Sequence, residues 1–299
     1  MRAQFADLLP PRGQRGRYAR LLTAAAVTGA LTALLVAGVE KLAESWLLHG
    51  LEGQPLWLMA VAPGFGLLLA WLLLRYGAPN STPATSDEYV RAYHSRRPEV
   101  PLRDVPAKLL AGVATIGLGG SLGLEGPSIY AGSAVGHNLQ ERLARFFRRD
   151  EAKMLLTAGA AAGVAAVFKA PATGLIFALE APYRDDVTRR ALLPGLLASV
   201  TGYVTYVSII GTTPVVPFIG RTLREGGFVS GIDYSDIAGA VLLGIGAGLA
   251  ARGVVYLVRE TKKLNASTDI WLRLGVAFVV LAGFVVVSDA LFDEPLTIG

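Results

Sequence analysis

One carboxylate, Glu125, stands inside the apolar and glycine-rich stretch GGSLGLEGPSIY, residues 119–130. A charge at membrane depth is costly, so it indicates a functional site. Gly123 and Gly126 permit an irregular backbone there, and Pro127 is typical of the first turn of a helix. The N-terminus of such a helix presents free N–H groups and the positive end of its dipole, which bind anions. The pattern predicts an anion site that Glu125 occupies when ionised and leaves when protonated.

The composition of the 299-residue chain is that of a multi-pass membrane protein. It is 53% hydrophobic and 17% charged, whereas soluble domains are about 25% charged. Its 35 glycines suit close helix packing in lipid, and the absence of cysteine excludes disulfides. The first 20 residues carry five arginines and one acid directly before an apolar run. This predicts a cytoplasmic N-terminal segment, 1–20, by the positive-inside rule, and disfavours nucleic-acid binding.

The apolar segments are of two kinds. Segments long enough to span a bilayer are predicted at Leu21–Val39, Leu56–Leu74, Ala191–Ile210, Ile237–Val258 and Ile270–Leu291. Others are short or end at Gly and Pro, namely Val105–Gly123, Pro127–Phe147, Met154–Val167 and Ala170–Leu179, while 77–102 is too polar to span. Broken helices in membranes lie where protein or a cavity covers them, and in transporters they mark the substrate site. We therefore expect the ion path between residues 117 and 173.

Two motifs resemble those of a known family. GLEGP at 123–127 is similar to the G-(K/R)-E-G-P signature of CLC chloride channels and transporters. AAAGVAAVFKAPATGLIFALE at 160–180 is similar to a second block of that family, in the same order and at about the same separation. The resemblance implies an all-α polytopic membrane protein with broken, tilted helices. It also implies that 21–299 holds the first inverted half and the start of the second, in a bacterial-type cell membrane.

By this resemblance Glu125 is the gating glutamate. The backbone of Gly123, Gly126, Pro127, Ser128 and Ile129 forms the anion site. Chloride or another small anion is the substrate, no cofactor is expected, and protons and the bilayer are candidate partners. A homodimer is expected through apolar surfaces at Ala191–Ile210 and Gly174–Leu179. No serine or metal-ligand pattern suggests an intramembrane enzyme.

Several positions depart from the family pattern. The later G-x-F-x-P signature and the helix with the pore tyrosine are absent, so we expect a membrane domain incomplete at its C-terminus. The family's first anion motif, G-S-G-x-P, corresponds to a degraded stretch at 79–88. Its register is open, and the candidate anion ligands are Asn80, Ser81, Thr82 and Thr85. Asp87 and Glu88 add negative charge there.

Other departures bear on proton coupling. The position where antiporters of the family usually carry an inner acid is Ala181, which cannot relay a proton. Lys169 replaces the usual asparagine and is a candidate pore-lining cation. Glu180 is expected to pair with Arg184 or Lys169, or to transfer protons. This combination predicts a voltage- or pH-gated channel that conducts anions passively past Glu125. The alternatives are an anion/proton antiporter with a non-standard proton path and a non-conducting relative.

Overall fold

The computed structural model describes residues 15–51, 53–80, 82, 85–96, 98–146, 153–183, 191–213, 234–267 and 269–292. Across these ranges the regular structure is helical, as the sequence predicted. The α-helices are α1 (Arg15–Glu40), α2 (Leu56–Gly77), α3 (Thr85–His94), α4 (Val105–Gly117), α5 (Glu125–Arg142), α6 (Met154–Val167), α7 (Pro171–Glu180), α8 (Leu192–Ile210), α9 (Tyr234–Ser267) and α10 (Ile270–Phe292). Their lengths run from 10 to 34 residues. The expectation of unequal, interrupted helices is therefore confirmed.

Several helix boundaries differ from the sequence prediction. The first helix continues beyond Glu40 as a π-helical segment, Lys41–Leu48, and a final turn, His49–Leu51. Helix α4 ends at Gly117, before the predicted end at residue 123, because the chain turns at Gly119 with φ +84°. Helix α5 begins at Glu125 itself, two residues before Pro127. This is compatible with proline, because the third residue of a helix also lacks an intrahelical partner for its N–H.

The chain divides into two compact units, residues 1–212 with 281–299, and residues 213–280. In the second unit, the residues of the apolar stretch of α9, Ile237–Lys263, are almost all exposed. In the first unit, Val285 of α10 packs with Met59 and Ala60 of α2. Among the described residues, five helical stretches are long and apolar enough to cross a membrane, namely Gly16–Leu51, Leu56–Gly77, Leu192–Ile210, Ile237–Lys263 and Ile270–Leu291.

Three helices of the first unit run in the same direction. Early parts of α1, α6 and α8 share one buried cluster, which contains Leu21, Leu155 and Ala198. Late parts of the same helices share another, which contains Val36 and Tyr206. Since early residues meet early residues, α1, α6 and α8 are parallel, and their C-termini lie at one end of the unit.

Helix α5 runs antiparallel to α6 at a very short distance. A Cβ atom placed on Gly132 would lie 2.1 Å from the Gly159 carbonyl oxygen, and one on Gly159 would lie 1.9 Å from that of Gly132. The contact repeats one turn on, where a Cβ on Gly136 would meet the Leu155 oxygen at 1.9 Å. Small residues let helices approach closely and gain dispersion energy where lipid offers no hydrophobic driving force. This packing fixes the start of α5, where Glu125 lies.

Candidate functional site

Glu125 is the first residue of α5, and its side chain is half-buried. The carboxylate folds back over the preceding loop, because a Cβ on Gly123 would lie only 1.7 Å from Glu125 Oε2. Any larger residue at position 123 would displace the carboxylate. The loop beside it, 121–123, is exposed. A carboxylate on a helix N-terminus is favoured by the helix dipole, and here it lies beside an accessible loop.

The hydrogen bonds of Ser128 lie within the first turn of α5. Its N–H donates to the Leu124 carbonyl at 3.0 Å, and its hydroxyl donates to the Glu125 carbonyl at 2.8 Å. Pro127 has no N–H, and that of Ile129 lies within the regular helix. The N–H groups without a partner inside the helix are therefore those of residues 124–126. In this conformation the N–H of Ser128 is used inside the helix. The roles of Gly123, Gly126, Pro127, Ser128 and Ile129 in an anion site stay predictions.

The start of α3 meets the start of α5. A Cβ on Gly126 would lie 2.4 Å from the hydroxyl oxygen of Thr85, which is the first residue of α3 and is buried. Two helix N-termini thus approach each other, and both direct positive dipole ends towards this point. Asn80 is exposed and Thr82 half-buried, while Ser81 lies outside the described residues. Of the candidate ligands in the degraded motif, the structure brings Thr85 to the Glu125 helix.

A buried ion pair lies beside this junction. Lys108 Nζ lies 2.6 Å from Glu88 Oε2, and the two side chains are 1% and 15% exposed. Lys108 Nζ also donates to the Thr82 carbonyl at 3.3 Å and lies 3.7 Å from the centre of the Tyr130 ring. Glu88 Oε1 accepts hydrogen bonds from Thr82 N at 2.5 Å and Thr82 Oγ1 at 3.0 Å. The negative charge of Glu88 is thereby balanced, which removes the concern that it repels anions.

Lys108 is a residue that our sequence reasoning missed. It stands alone inside the apolar run that begins at Val105, and the signal was available there. A cation inside such a run requires a partner. The pair joins α3 to α4, and the contact with Tyr130 adds α5, so it holds together the elements that carry Thr85 and Glu125.

A polar cavity of about 820 Å³ lies next to the pair. Its walls include residues from α3, α5 and the 95–104 connection, among them Thr82, Glu88, Tyr130, His137 and Glu141. The His137 Nε2 atom lies 3.4 Å from Glu141 Oε1. The cavity therefore connects the surroundings of the degraded motif to the C-terminal half of α5.

Lys169 and Glu180 lie at opposite ends of α7. Lys169 precedes the first residue of α7 by two positions, and Glu180 is the exposed last residue. Ten helical residues span about 15 Å. The expected pairing of Glu180 with Lys169 was therefore wrong, and Arg184 lies outside the described residues. Ala181 packs half-buried against the main core.

Known proteins resemble this chain in both sequence and fold. The family model described as voltage gated chloride channel matches residues 65–297. The H(+)/Cl(-) exchange transporter ClcA of Cronobacter sakazakii is 34% identical over 175 residues, which cover 54% of this chain and 36% of that protein. ClcA of Vibrio cholerae is 35% identical over 127 residues, which cover 42% of this chain and 27% of that protein. The matched region spans less than two thirds of the length of these curated relatives.

Two solved structures share the fold. A slow cyanobacterial Cl⁻/H⁺ antiporter superposes with a TM-score of 0.72 at 21% identity, covering 96% of this chain and 65% of that one. A CLC-type fluoride/proton antiporter gives a TM-score of 0.74 at 21% identity, covering 92% of this chain and 66% of that one.

Proposed function

The chain belongs to the CLC family of voltage gated chloride channels and transporters, and from this premise we propose that it carries out H⁺/Cl⁻ exchange as part of a membrane transporter. The relatives ClcA of Cronobacter sakazakii and of Vibrio cholerae are H(+)/Cl(-) exchange transporters, which favours exchange over the passive channel that the sequence predicted. The observation that carries the proposal is the Glu125 carboxylate, folded over Gly123 at the N-terminus of α5.

One carboxyl group at this place can couple two ions. When ionised, Glu125 lies where the free N–H groups of residues 124–126 and the dipole of α5 would attract an anion, so it competes with chloride. When protonated, the neutral side chain gains little from that field and leaves the place to the anion. Each exchange of carboxylate for chloride then accompanies the uptake of one proton by Glu125. We therefore expect anion transport to rise as the pH falls.

Proteoliposomes containing the full-length protein test this mechanism. A chloride gradient across the membrane is expected to drive proton movement in the opposite direction, measured with a pH electrode. Glu125→Gln mimics the protonated side chain, so it should retain chloride flux, lose proton movement and lose the dependence of flux on pH. Chloride flux by the wild type without proton movement would contradict exchange. A fully coupled Glu125→Gln variant would contradict the role of this residue.

Passive conduction is the second candidate, and Ala181 is the observation that favours it. The residue carries no proton acceptor and packs against apolar neighbours. Nearby, the Tyr93 and Tyr183 hydroxyls lie 2.9 Å apart, and a ring nitrogen of His94 contacts the Pro182 carbonyl. Exchange thus requires a proton path that does not use residue 181. A non-conducting relative, the third possibility, would show neither chloride nor proton flux in the same assay.

A homodimer is proposed for the assembled protein. Helix α8 presents Leu196, Val200 and Val204, which are spaced by four residues and exposed, and α7 adds Ile176 and Phe177. Such a stripe faces either lipid or a second subunit. Since the chain has no cysteine, Val200→Cys gives a clean probe, and Leu197→Cys is a half-buried comparison. Cross-linking between subunits is expected at position 200, and a strictly monomeric protein in bilayers would contradict it.

A further inference from the structure

A group of charged residues lies where the three parallel helices end. Glu40 is the last residue of α1, Tyr206 belongs to the last turns of α8, and Lys169 follows α6 by two residues. Lys169 Nζ lies 6.0 Å from the centre of the Tyr206 ring. Ala37 of α1 and Ala166 of α6 belong to one buried cluster, so Glu40 and Lys169, each three residues further along the chain, come at the same end of the parallel helices. Lys169, Tyr206 and Glu40, together with Glu44 in the π-helical segment that follows Glu40, form a group that we call the end cluster.

The backbone around the end cluster is irregular on both sides. Lys169 has φ +51° and is the one non-glycine with positive φ among the described residues. This left-handed conformation costs a residue with a β-carbon about 1 kcal/mol, and asparagine or glycine adopts it more readily. On the other side, Glu40 leads directly into the π-helical segment Lys41–Leu48, a structure frequent at functional sites. Folding alone does not favour a lysine at position 169, which points to a use for its charge.

The pairing of α5 with α6 places this charge relative to Glu125. The two helices are antiparallel, and Ser128, Gly132 and Gly136 meet Gly163, Gly159 and Leu155. Continuing this register by three residues brings Glu125 to the level of Ala166, just before Lys169. Both charged residues therefore lie at the same end of the helix pair. An anion that approaches Glu125 from this end encounters the field of the end cluster.

We propose that Lys169 attracts anions into the pathway that leads to Glu125, and that the carboxylate of Glu40, at the same end of the helices, weakens that attraction. The proposal rests on anion transport by this protein. A cation at the entrance of a low-dielectric path raises the local anion concentration and therefore the rate of anion entry. Because the effect is electrostatic, it declines as ionic strength increases.

The two charges should act with opposite signs. Lys169→Asn removes the cation and relieves the backbone strain, and we expect the KM for chloride to rise about threefold at low ionic strength, with kcat unchanged. Glu40→Gln should lower this KM by a similar factor, because the ammonium is then less neutralised. Lys169→Arg should keep the wild-type KM. Arg20→Gln, near the other end of α1, is the matched control and should leave the KM for chloride unchanged.

Thiol chemistry provides a second measurement on the full-length protein. Labelling Lys169→Cys with a positively charged methanethiosulfonate should partly restore the wild-type KM for chloride. Labelling with a negatively charged reagent should raise this KM further. Equal effects of the two reagents would overturn the proposal, as would a KM that shifts in the same direction in Lys169→Asn and Glu40→Gln. Absence of chloride flux in the wild type would instead overturn the proposed function itself, so the two failures are distinguishable.

Discussion

Replacing Lys108 by methionine tests the buried ion pair that joins α3 to α4. The substitution removes the ammonium but keeps a flexible apolar stem. Loss of one partner from a buried pair costs about 3–5 kcal/mol, because the remaining charge has no counter-charge. Glu88 is 15% exposed and keeps two hydrogen bonds from Thr82, which partly satisfy its carboxylate. We therefore expect a loss of about 2–3 kcal/mol in the free energy of unfolding.

The assay is a double-mutant cycle on the purified full-length protein in detergent. Unfolding is followed for Lys108→Met, Glu88→Gln and the double variant. Since the double variant leaves no unpaired charge, it should recover about 2 kcal/mol relative to the sum of the single losses. Lys263→Met is the matched control. Its Nζ lies 2.7 Å from Glu260 Oε1, but the side chains are 72% and 40% exposed, so the expected loss is below about 0.5 kcal/mol.

Two results would refute this reasoning. Lys108→Met could cost no more than Lys263→Met, which would mean that water or lipid headgroups already screen the buried pair. Alternatively, the losses of the two single variants could simply add. In that case Lys108 and Glu88 would stabilise the protein independently, and the pair would not hold α3 against α4.

Three further substitutions test the packing around the site. Gly159→Ala places a methyl group against a carbonyl of α5 and should lower the free energy of unfolding by more than about 1 kcal/mol. Gly38→Ala is the control, because a methyl group there enters open space, and it should be neutral or slightly stabilising in the same thermal unfolding assay. In Gly126→Ala the new methyl group collides with the Thr85 hydroxyl, so chloride flux should fall while the protein stays folded. Adding Thr85→Ala removes the hydroxyl and should restore the flux. A double variant without recovery would contradict the contact. Tyr89→Phe removes the 2.7 Å hydrogen bond from the Tyr89 hydroxyl to a carbonyl of α7 and should lower the free energy of unfolding by about 1 kcal/mol. An unchanged unfolding midpoint would contradict this expectation.

Much of the helical architecture could be predicted from composition and from the Gly and Pro breaks. The position of Glu125 at a helix N-terminus followed from its local neighbours, because caps and breaks are short-range features. The start of α5 was placed two residues late, since proline is tolerated throughout the first turn and does not define its first residue. The π-helical segment Lys41–Leu48 was missed, because the predicted apolar run ends at Val39 and a local pattern does not distinguish α-helical from π-helical turns.

The site required contacts that a local pattern does not contain. Glu88 and Lys108 are 20 positions apart, and their pairing depends on how α3 packs against α4. The same holds for Thr85 against Gly126, which meet only when the starts of α3 and α5 come together. In each case the residue types were visible in the sequence, but the partner was defined only by tertiary structure.

The glycine contacts between α5 and α6 restrict how the Glu125 region can move. The helices touch at Gly132 and Gly159, and again four residues along at Gly136 and Leu155. Four residues of an α-helix rise by about 6 Å. If α5 slides along α6, small residues of the two helices face each other again only after a shift of that length. Smaller shifts would drive larger side chains into backbone carbonyls. In the proposed transport cycle we therefore expect opening to come from rotation of the Glu125 side chain or rearrangement of the 118–124 loop, with α5 remaining in place.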